Sequence, residues 1–143
     1  MSWSRIWVHL VFTTKNRDQI LRENIRQNLF DHIKENAKAK EIYIDSIGGY
    51  SDHCHCLISL GKDQNISKIA QLLKGESSLW VNKQKIFNYH FSWQNDYWAM
   101  SVSESGIDKV RSYILNQEQH HKKKTLNDEI DEIMKKYGWK MSG

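Results

Sequence analysis

The chain has 143 residues, of which 39% are hydrophobic, 27% charged and 11% aromatic, and it contains no proline. A chain of this length can bury a substantial core, so we expect a single domain over residues 1–143 that needs neither disulfides nor a structural metal. No apolar stretch approaches the roughly 20 residues that cross a bilayer, and no secretion signal is recognisable, so a cytoplasmic protein without a membrane partner is expected. Lysine and arginine (21) slightly exceed aspartate and glutamate (17), which favours a polyanionic partner.

The hydrophobic pattern predicts the first four elements of secondary structure. Apolar residues alternate with other residues where a strand is expected, and recur every three or four residues where a helix is expected. These patterns predict a strand over residues 6–13, a helix over 22–38, and strands over 42–47 and 53–60. The second strand is expected to end at Gly48 and Gly49, because paired glycines can supply the positive φ of a hairpin or bulge.

The second half of the chain continues the same alternation of elements. A second helix is expected from Ile66 to about residue 80, weakened or interrupted near Gly75. Further on, the patterns predict a strand over 97–102, a third helix over 107–121 and a last helix over 125–137. The order β-α-β-β-α-β followed by helices is typical of an α+β ferredoxin-like sandwich with added C-terminal helices, in which one sheet carries helices on one face.

Two histidines one residue apart lie on the third predicted strand. Side chains alternate along a strand, so Cys54 and Cys56 are expected to face the core while His53 and His55 stand side by side on the open face of the sheet. At a Cα separation of roughly 6.5–7 Å, both rings can converge on one divalent ion. Two solvated surface histidines would give the same pattern. A zinc site formed by all four side chains is disfavoured, because they point in opposite directions.

The third predicted helix carries polar groups beside its apolar stripe. At about 100° per residue, Tyr113, Gln117 and His120 share one face of the helix, about a quarter-turn from that stripe. The stripe itself consists of Ile107, Val110 and Ile114. An ordinary amphipathic helix flank would look the same, so the spacing alone leaves the role of these side chains open.

Several segments, taken together, resemble a known family over nearly the whole chain. They are Asp52–His55, Leu73–Ser78, Trp93–Tyr97, Ser101–Ser103, and Tyr113–Gln117 followed by His120 and His121. In order and separation they are similar to the motifs of the small single-tyrosine transposases of the HUH endonuclease superfamily. The fold that this resemblance implies is the same ferredoxin-like sandwich that the hydrophobic pattern predicts.

The resemblance also implies a set of site residues. His53 and His55 match the paired histidines that bind the metal, and Gln117 matches the third, polar ligand. Tyr113 matches the nucleophile. Members of the family cut and rejoin single-stranded DNA at hairpin-containing element ends through a 5′-phosphotyrosine, with a divalent metal, Mg²⁺ or Mn²⁺, as the cofactor. Because these three ligands carry no negative charge, we expect a weak site that depends on bound DNA and prefers Mn²⁺.

The resemblance further suggests partners and DNA contacts. The expected partners are single-stranded DNA with a hairpin and a second copy of the chain, in a homodimer whose active sites are completed between subunits. In the repeat-associated members of the family a single subunit can suffice, so the resemblance leaves open whether Tyr113 serves its own chain or its partner. Five side chains are candidates for contact with DNA: Lys74, Arg111, His120, His121 and Lys122.

Two other functions fit the sequence less closely. One is a non-catalytic module that binds single-stranded nucleic acid by stacking bases on Trp7, Tyr43 and Trp93. The other is a domesticated transposase that has lost activity. Only the active enzyme requires the hydroxyl group of Tyr113, so a covalent adduct with DNA separates it from both.

Overall fold

The structure is a computed structural model that describes residues 1–121, 128–129 and 131–132. Its strands are β1 (Ile6–Thr13), β2 (Tyr43–Tyr50), β3 (His53–Leu60) and β4 (Trp98–Val102), and its longer helices are α1 (Glu23–Ala39), α2 (Ile66–Lys83), α3 (Ile107–Leu115) and α4 (Gln117–His121). Within these described residues the four strands form one antiparallel sheet in the order β2-β3-β1-β4. This arrangement confirms the α+β ferredoxin-like prediction.

Four of the eight predicted elements agree with the structure to within one residue: the strands over 6–13, 53–60 and 97–102 and the helix over 22–38. Strand β2 and helix α2 each run about three residues past their predicted ends. The predicted helix over 125–137 lies largely outside the described residues, although 128–129 and 131–132 are helical. The prediction of a single domain over residues 1–143 stays a prediction for the same reason. In the part of the chain that the structure covers, no helix is both long and apolar enough to cross a membrane.

The sheet has two differently covered faces. Alternate residues of the central strands pack against α1 and α2 in the main core, which includes Leu10, Phe12, Leu29, Ile33, Cys54, Cys56, Ile58 and Leu73. The opposite face packs against α3 through a smaller cluster of Trp7, Leu57, Ile107 and Ile114. The prediction of helices on one face only is therefore wrong. The apolar stripe of α3 must be buried, and this second face offers it apolar partners.

Gly48 and Gly49 lie inside β2 and do not end it. A Cβ atom on Gly48 would lie 2.2 Å from the carbonyl oxygen of Ile114, and one on Gly49 would lie 2.1 Å from the carbonyl oxygen of His53. The prediction that these glycines form a turn is wrong, because they are needed for close backbone approach. The absence of a side chain at Gly48 lets α3 pack directly on the strand.

Both later helices differ from the prediction. Helix α2 runs without interruption through Gly75, because one glycine costs only about 1 kcal/mol and the burial of neighbours such as Leu73 outweighs it. The predicted helix over 107–121 is instead divided at Asn116, where φ is −106° and ψ is 24°. Asparagine leaves helical geometry readily. The break begins a new short helix at Gln117, whose side chain is buried.

Candidate active site

His53 and His55 stand together on the face of the sheet that α3 covers. Both side chains are fully buried, and their ring centroids lie 5.0 Å apart. The predicted shared face is confirmed, and Cys54 and Cys56 point into the opposite core. The prediction that the histidine face is open is wrong.

The His53 ring is held at both nitrogens. Its Nδ1 lies 2.8 Å from Asp52 Oδ1, and its Nε2 lies 2.9 Å from Gln117 Oε1. Gln117 Nε2 donates to the carbonyl oxygen of Tyr113 at 3.2 Å, which turns Oε1 toward the histidine. When Nδ1 donates its proton to Asp52, Nε2 and Oε1 present lone pairs to each other, an arrangement that suits a shared cation.

The His55 ring is oriented by a third imidazole. Its Nδ1 lies 2.8 Å from Nε2 of His9, which is buried on β1. Burial, followed by the proximity of His55, lowers the pKa of His9 to about 3. Burial also lowers the pKa of His55 well below its ordinary value, and the nearby imidazoles lower it further. Both rings are therefore neutral at pH 7, and a proton on His55 Nδ1, donated to His9, leaves Nε2 with a lone pair for an ion.

Glu129 is the one carboxylate among the described residues that lies against both histidines. It is buried, with Oε1 3.2 Å from His55 Nε2 and Oε2 3.9 Å from His53 Nε2. Oε2 is also 2.8 Å from Nε2 of His121. Burial raises the pKa of Glu129 to about 7, although positive charge on His53 and His9 would lower it.

The donor atoms of this cluster fit a divalent ion. The candidate ligand atoms of His53, His55 and Glu129 all lie within 4.8 Å of one another. Within the described residues, His55 Nε2 and both Glu129 carboxylate oxygens are buried without a hydrogen bond of acceptable geometry. Buried polar atoms are seldom left in this way, and two nitrogens with a carboxylate are ligands that Mn²⁺ and Mg²⁺ accept.

Tyr113 lies beside this cluster in the same chain. Its ring centroid is 5.5 Å from that of His55, 6.0 Å from that of His9 and 5.0 Å from that of His120. The tyrosine is partly exposed, whereas Gln117, on the next turn of chain, is buried. The structure therefore brings together the four residues that the sequence singled out: His53, His55, Tyr113 and Gln117.

Sequence reasoning missed three members of the site. Asp52 precedes the first histidine directly, and His9 occupies a position of β1 that faces the same side of the sheet. Glu129 stands three residues after Leu126 and four before Ile133 in the sequence, so helical spacing puts its carboxylate at the edge of an apolar stripe. A carboxylate in that position is the signal that the sequence offers.

The residues predicted to contact DNA differ in the partners that they have within the protein. Arg111 donates to both carboxylate oxygens of Asp45, at 2.8 and 2.9 Å, and to Asp108 at 2.9 Å. Lys74 Nζ donates to the carbonyl oxygen of Asn95 at 2.8 Å. His120 and His121 belong to the cluster around Glu129, and Lys122 lies outside the described residues. A DNA-binding role for these five residues stays a prediction.

The three aromatic residues on which a non-catalytic module would stack bases are mostly buried. Trp7 and Trp93 are buried, and their indole nitrogens donate to Glu104 and Ser77 respectively. Only Tyr43 of the three is exposed. The structure thus offers little of the aromatic surface on which that hypothesis depended.

A ferredoxin-like sheet with a buried His-x-His pair, faced by a tyrosine and a glutamine from two successive helices, defines the single-tyrosine HUH class. Comparison with known proteins gives the family. Residues 2–117 match the IS200-like transposases, and the chain belongs to that family. It is 27% identical over 115 residues to the ISDra2 transposase TnpA of Deinococcus radiodurans, covering 76% of this chain and 81% of the relative.

Two solved structures share the fold. A transposase from Deinococcus radiodurans R1 superposes with a TM-score of 0.66 at 22% identity, covering 81% of this chain and 93% of that one. A REP-associated tyrosine transposase bound to a REP hairpin superposes with a TM-score of 0.63 at 18% identity, covering 85% and 74%. The resemblance stated from the sequence is confirmed.

Proposed function

We propose that this transposase cuts and rejoins single-stranded DNA at hairpin-containing element ends through a 5′-phosphotyrosine on Tyr113. The observation that carries the proposal is the position of the Tyr113 ring, 5.5 Å from the ring of His55 within the same chain. A solved relative is bound to a REP hairpin, which supports a hairpin as the recognised DNA feature.

Four side chains would hold the divalent ion, Mg²⁺ or Mn²⁺. They are His53, His55, Gln117 and Glu129, whose donor atoms face one another. When bound, the ion would offset negative charge that develops on the scissile phosphate. The sequence predicts three uncharged ligands and therefore a weak site. The carboxylate of Glu129 adds a negative charge to that set. With it, we expect the site to hold an ion before DNA arrives.

Tyr113 supplies the nucleophile in the proposed reaction. Its phenolic oxygen attacks the phosphorus atom, a new P–O bond to tyrosine forms, and the bond from phosphorus to the 3′-oxygen breaks. The phenol must lose its proton, and the ring of His120, 5.0 Å from that of Tyr113, is the nearest imidazole. Transfer of this proton onward to the departing oxygen gives the 3′-hydroxyl. Attack by a 3′-hydroxyl on the phosphotyrosine then rejoins a strand and restores the phenol.

We further propose that Tyr113 serves the metal site of its own chain. Helix α3 packs on β2 and β3 of the same sheet, and this packing places the tyrosine beside His55 without a second copy. The homodimer expected from the resemblance stays a prediction, and such a dimer could equally consist of two complete sites.

The test is a covalent adduct between protein and DNA. Purified protein is incubated with Mn²⁺ and single-stranded oligonucleotides that reproduce the hairpins on either side of its gene, and adducts are resolved on a denaturing gel. We expect an adduct with the wild type and with Tyr43→Phe, the matched control on an exposed tyrosine, and none with Tyr113→Phe. An adduct that survives Tyr113→Phe would refute the assignment of the nucleophile. Tight hairpin binding with no adduct on either flank would favour the non-catalytic module.

A further inference from the structure

A groove of about 1070 Å³ opens between the start of α1 and the end of α2, on the segment that joins α2 to β4. We call it the aromatic groove. It is lined by Arg22, Lys85 and His90 as well as by Phe87 and Tyr89. All of its lining residues are within the described part of the chain, and none of them is acidic. The groove therefore combines cationic groups with flat rings, and neither the metal site nor Tyr113 contributes to it.

Three aromatic rings run from the core into this groove. Phe91 is buried, Phe87 stacks on it at 5.8 Å with the planes at 22°, and Tyr89 stacks on Phe87 at 5.1 Å with the planes at 21°. Tyr89 is 51% exposed. A stack of parallel rings that ends in a half-exposed tyrosine is a suitable surface for a further flat ring, such as a nucleobase.

The segment that carries these rings is fixed to α2. The side-chain amide of Asn82 donates to the carbonyl oxygen of Phe91 at 2.9 Å and accepts from its backbone N–H at 2.8 Å. This two-point contact orders the loop before any ligand binds. A pre-ordered surface loses less conformational entropy on binding.

Lys85 occupies a backbone position that favours glycine. Its φ is +52°, and the backbone bonds from Lys85 N–H to Asn82 and from Ile86 N–H to Val81 close α2 in a Schellman motif. A residue with a side chain is strained there, and such strain tends to persist at functional sites. Lys85 lines the groove at this position, although glycine would fit its backbone conformation better.

We propose that the aromatic groove binds an unpaired nucleotide of the DNA strand, with its base on Tyr89 and its phosphate near Lys85 and Arg22. The inference rests on the proposed function for the identity of the strand. The groove lies at the same end of the sheet as His53: the backbone N–H of Leu21, next to Arg22, donates to the carbonyl oxygen of Ser51 at 2.8 Å. To reach the groove, a strand held at the active site would pass around this end of the sheet, from the face that α3 covers to the face that α1 and α2 cover.

The first experiment separates base stacking from charge attraction. Binding of full-length protein to a single-stranded dT12 oligonucleotide, and to a matched 12-nucleotide strand with abasic sites, is measured in EDTA by fluorescence anisotropy. We expect Tyr89→Ala to weaken binding to dT12 by about 5- to 150-fold, as for loss of one stacked base, and to leave the abasic strand unaffected. Tyr89→Trp should retain affinity. Wild-type affinity of Tyr89→Ala for dT12, or an equal loss on both strands, would overturn the proposal.

The second experiment tests the lysine without the risk of unfolding. Lys85→Gly should raise the melting temperature, because glycine relieves the strained φ. It should nevertheless weaken binding to both strands. The slope of the logarithm of the binding constant against the logarithm of the salt concentration should fall in magnitude by about one, as for the loss of one phosphate contact. Lys38→Ala, at the opposite end of α1, is the control and should leave the melting temperature, the affinity for both strands and the salt dependence of binding unchanged. A more stable Lys85→Gly protein that binds like the wild type would contradict the assigned phosphate contact.

These results are independent of the adduct assay. If the wild type forms no adduct with hairpin DNA but Tyr89→Ala loses affinity for dT12 alone, the groove stands and the nuclease proposal fails. If the wild type forms the adduct but Tyr89→Ala binds dT12 normally, the nuclease proposal stands and the groove is refuted.

Discussion

His53 and His55 are each held at the ring nitrogen that points away from the shared site. For His53 the partner is the carboxylate of Asp52, and for His55 it is the imidazole of His9. Such second partners fix the tautomer that offers Nε2 to a metal, and their loss typically costs 10- to 100-fold in metal affinity. His9 acts through His55 and is therefore a positioning residue.

We expect His9→Phe to weaken Mn²⁺ binding in the absence of DNA by about 10- to 100-fold, because His55 loses the acceptor for its Nδ1 proton. His9→Gln, whose amide oxygen can accept that proton, should recover part of the affinity. Electron paramagnetic resonance of free Mn²⁺ gives the measurement. His32→Phe, a partly buried histidine paired with Glu76 on the other face of the sheet, is the control. Unchanged affinity in His9→Phe would show that His55 needs no such partner.

Glu129 gives the site its negative charge. Replacement by glutamine keeps the shape of the side chain but removes the charge that attracts a cation, so we expect Glu129→Gln to lower the Mn²⁺ affinity of the DNA-free protein by at least about tenfold. Glu132→Gln, an exposed neighbour on the same segment, should bind Mn²⁺ like the wild type. Equal affinities for both variants would exclude Glu129 as a ligand.

The sequence predicts part of this site and not the rest for a physical reason. His53 and His55 share a strand, and Tyr113 and Gln117 lie four residues apart on successive helical turns, so local spacing brings each pair together. His9 and Glu129 reach the cluster only through the register of β1 and the path of the last segment. These are tertiary arrangements that local spacing does not encode.

At the scale of elements, Gly48 sets how closely α3 approaches the sheet. The backbone of Ile114, next to Tyr113, lies over this glycine with no room for a side chain. Arg111 adds a second tie from α3 to β2 through its paired hydrogen bonds to Asp45. The position of the tyrosine relative to the histidines therefore depends on contacts made by β2, which carries no catalytic group.

We expect Gly48→Ala to lower both the melting temperature and the rate of adduct formation. A Cβ atom 2.2 Å from the Ile114 carbonyl oxygen must displace α3, and a misplacement of about 1 Å can cost on the order of 100-fold in rate. Gly75→Ala is the matched control, since nothing lies within 4 Å of a Cβ there; it should stabilise the helix by about 1 kcal/mol. Single-turnover kinetics and thermal unfolding provide the readouts, and a Gly48→Ala protein with wild-type values would contradict this role.

The elements themselves were predictable to different degrees. β1, α1 and β3 follow uninterrupted apolar periods, and their boundaries agree with the prediction. At Gly48 and Gly75 residue type alone suggests a break that the structure does not have. At Asn116 the apolar pattern predicts a continuous helix, and the structure has a break. Packing against neighbours decides those positions, because it outweighs local propensity at the glycines and favours a new helix start after Asn116.

At the scale of the whole molecule, the position of Tyr113 beside the histidines of its own chain predicts that two subunits do not share an active site. A variant with His53→Ala and His55→Ala lacks the metal histidines, and Tyr113→Phe lacks the nucleophile, so each should be inactive alone. If Tyr113 serves its own chain, co-expression of the two should yield no adduct. A shared active site would instead restore activity, up to roughly a quarter of wild-type sites with random pairing of subunits. Co-expression of the wild type with Tyr113→Phe controls for dominant effects.

Strand β3 is bonded on both sides, with His55 opposite Val11 on β1 and opposite Gly48 on β2. The imidazoles of His53 and His55 alternate with the thiols of Cys54 and Cys56 along this strand. A slip of one residue in its register would therefore turn the thiols toward Tyr113 and bury the imidazoles in the apolar core. A single inserted or deleted residue within β3 would thus abolish catalysis and folding together. Changes in length can be tolerated only beyond its ends, most readily in the exposed turn that begins at Gly61.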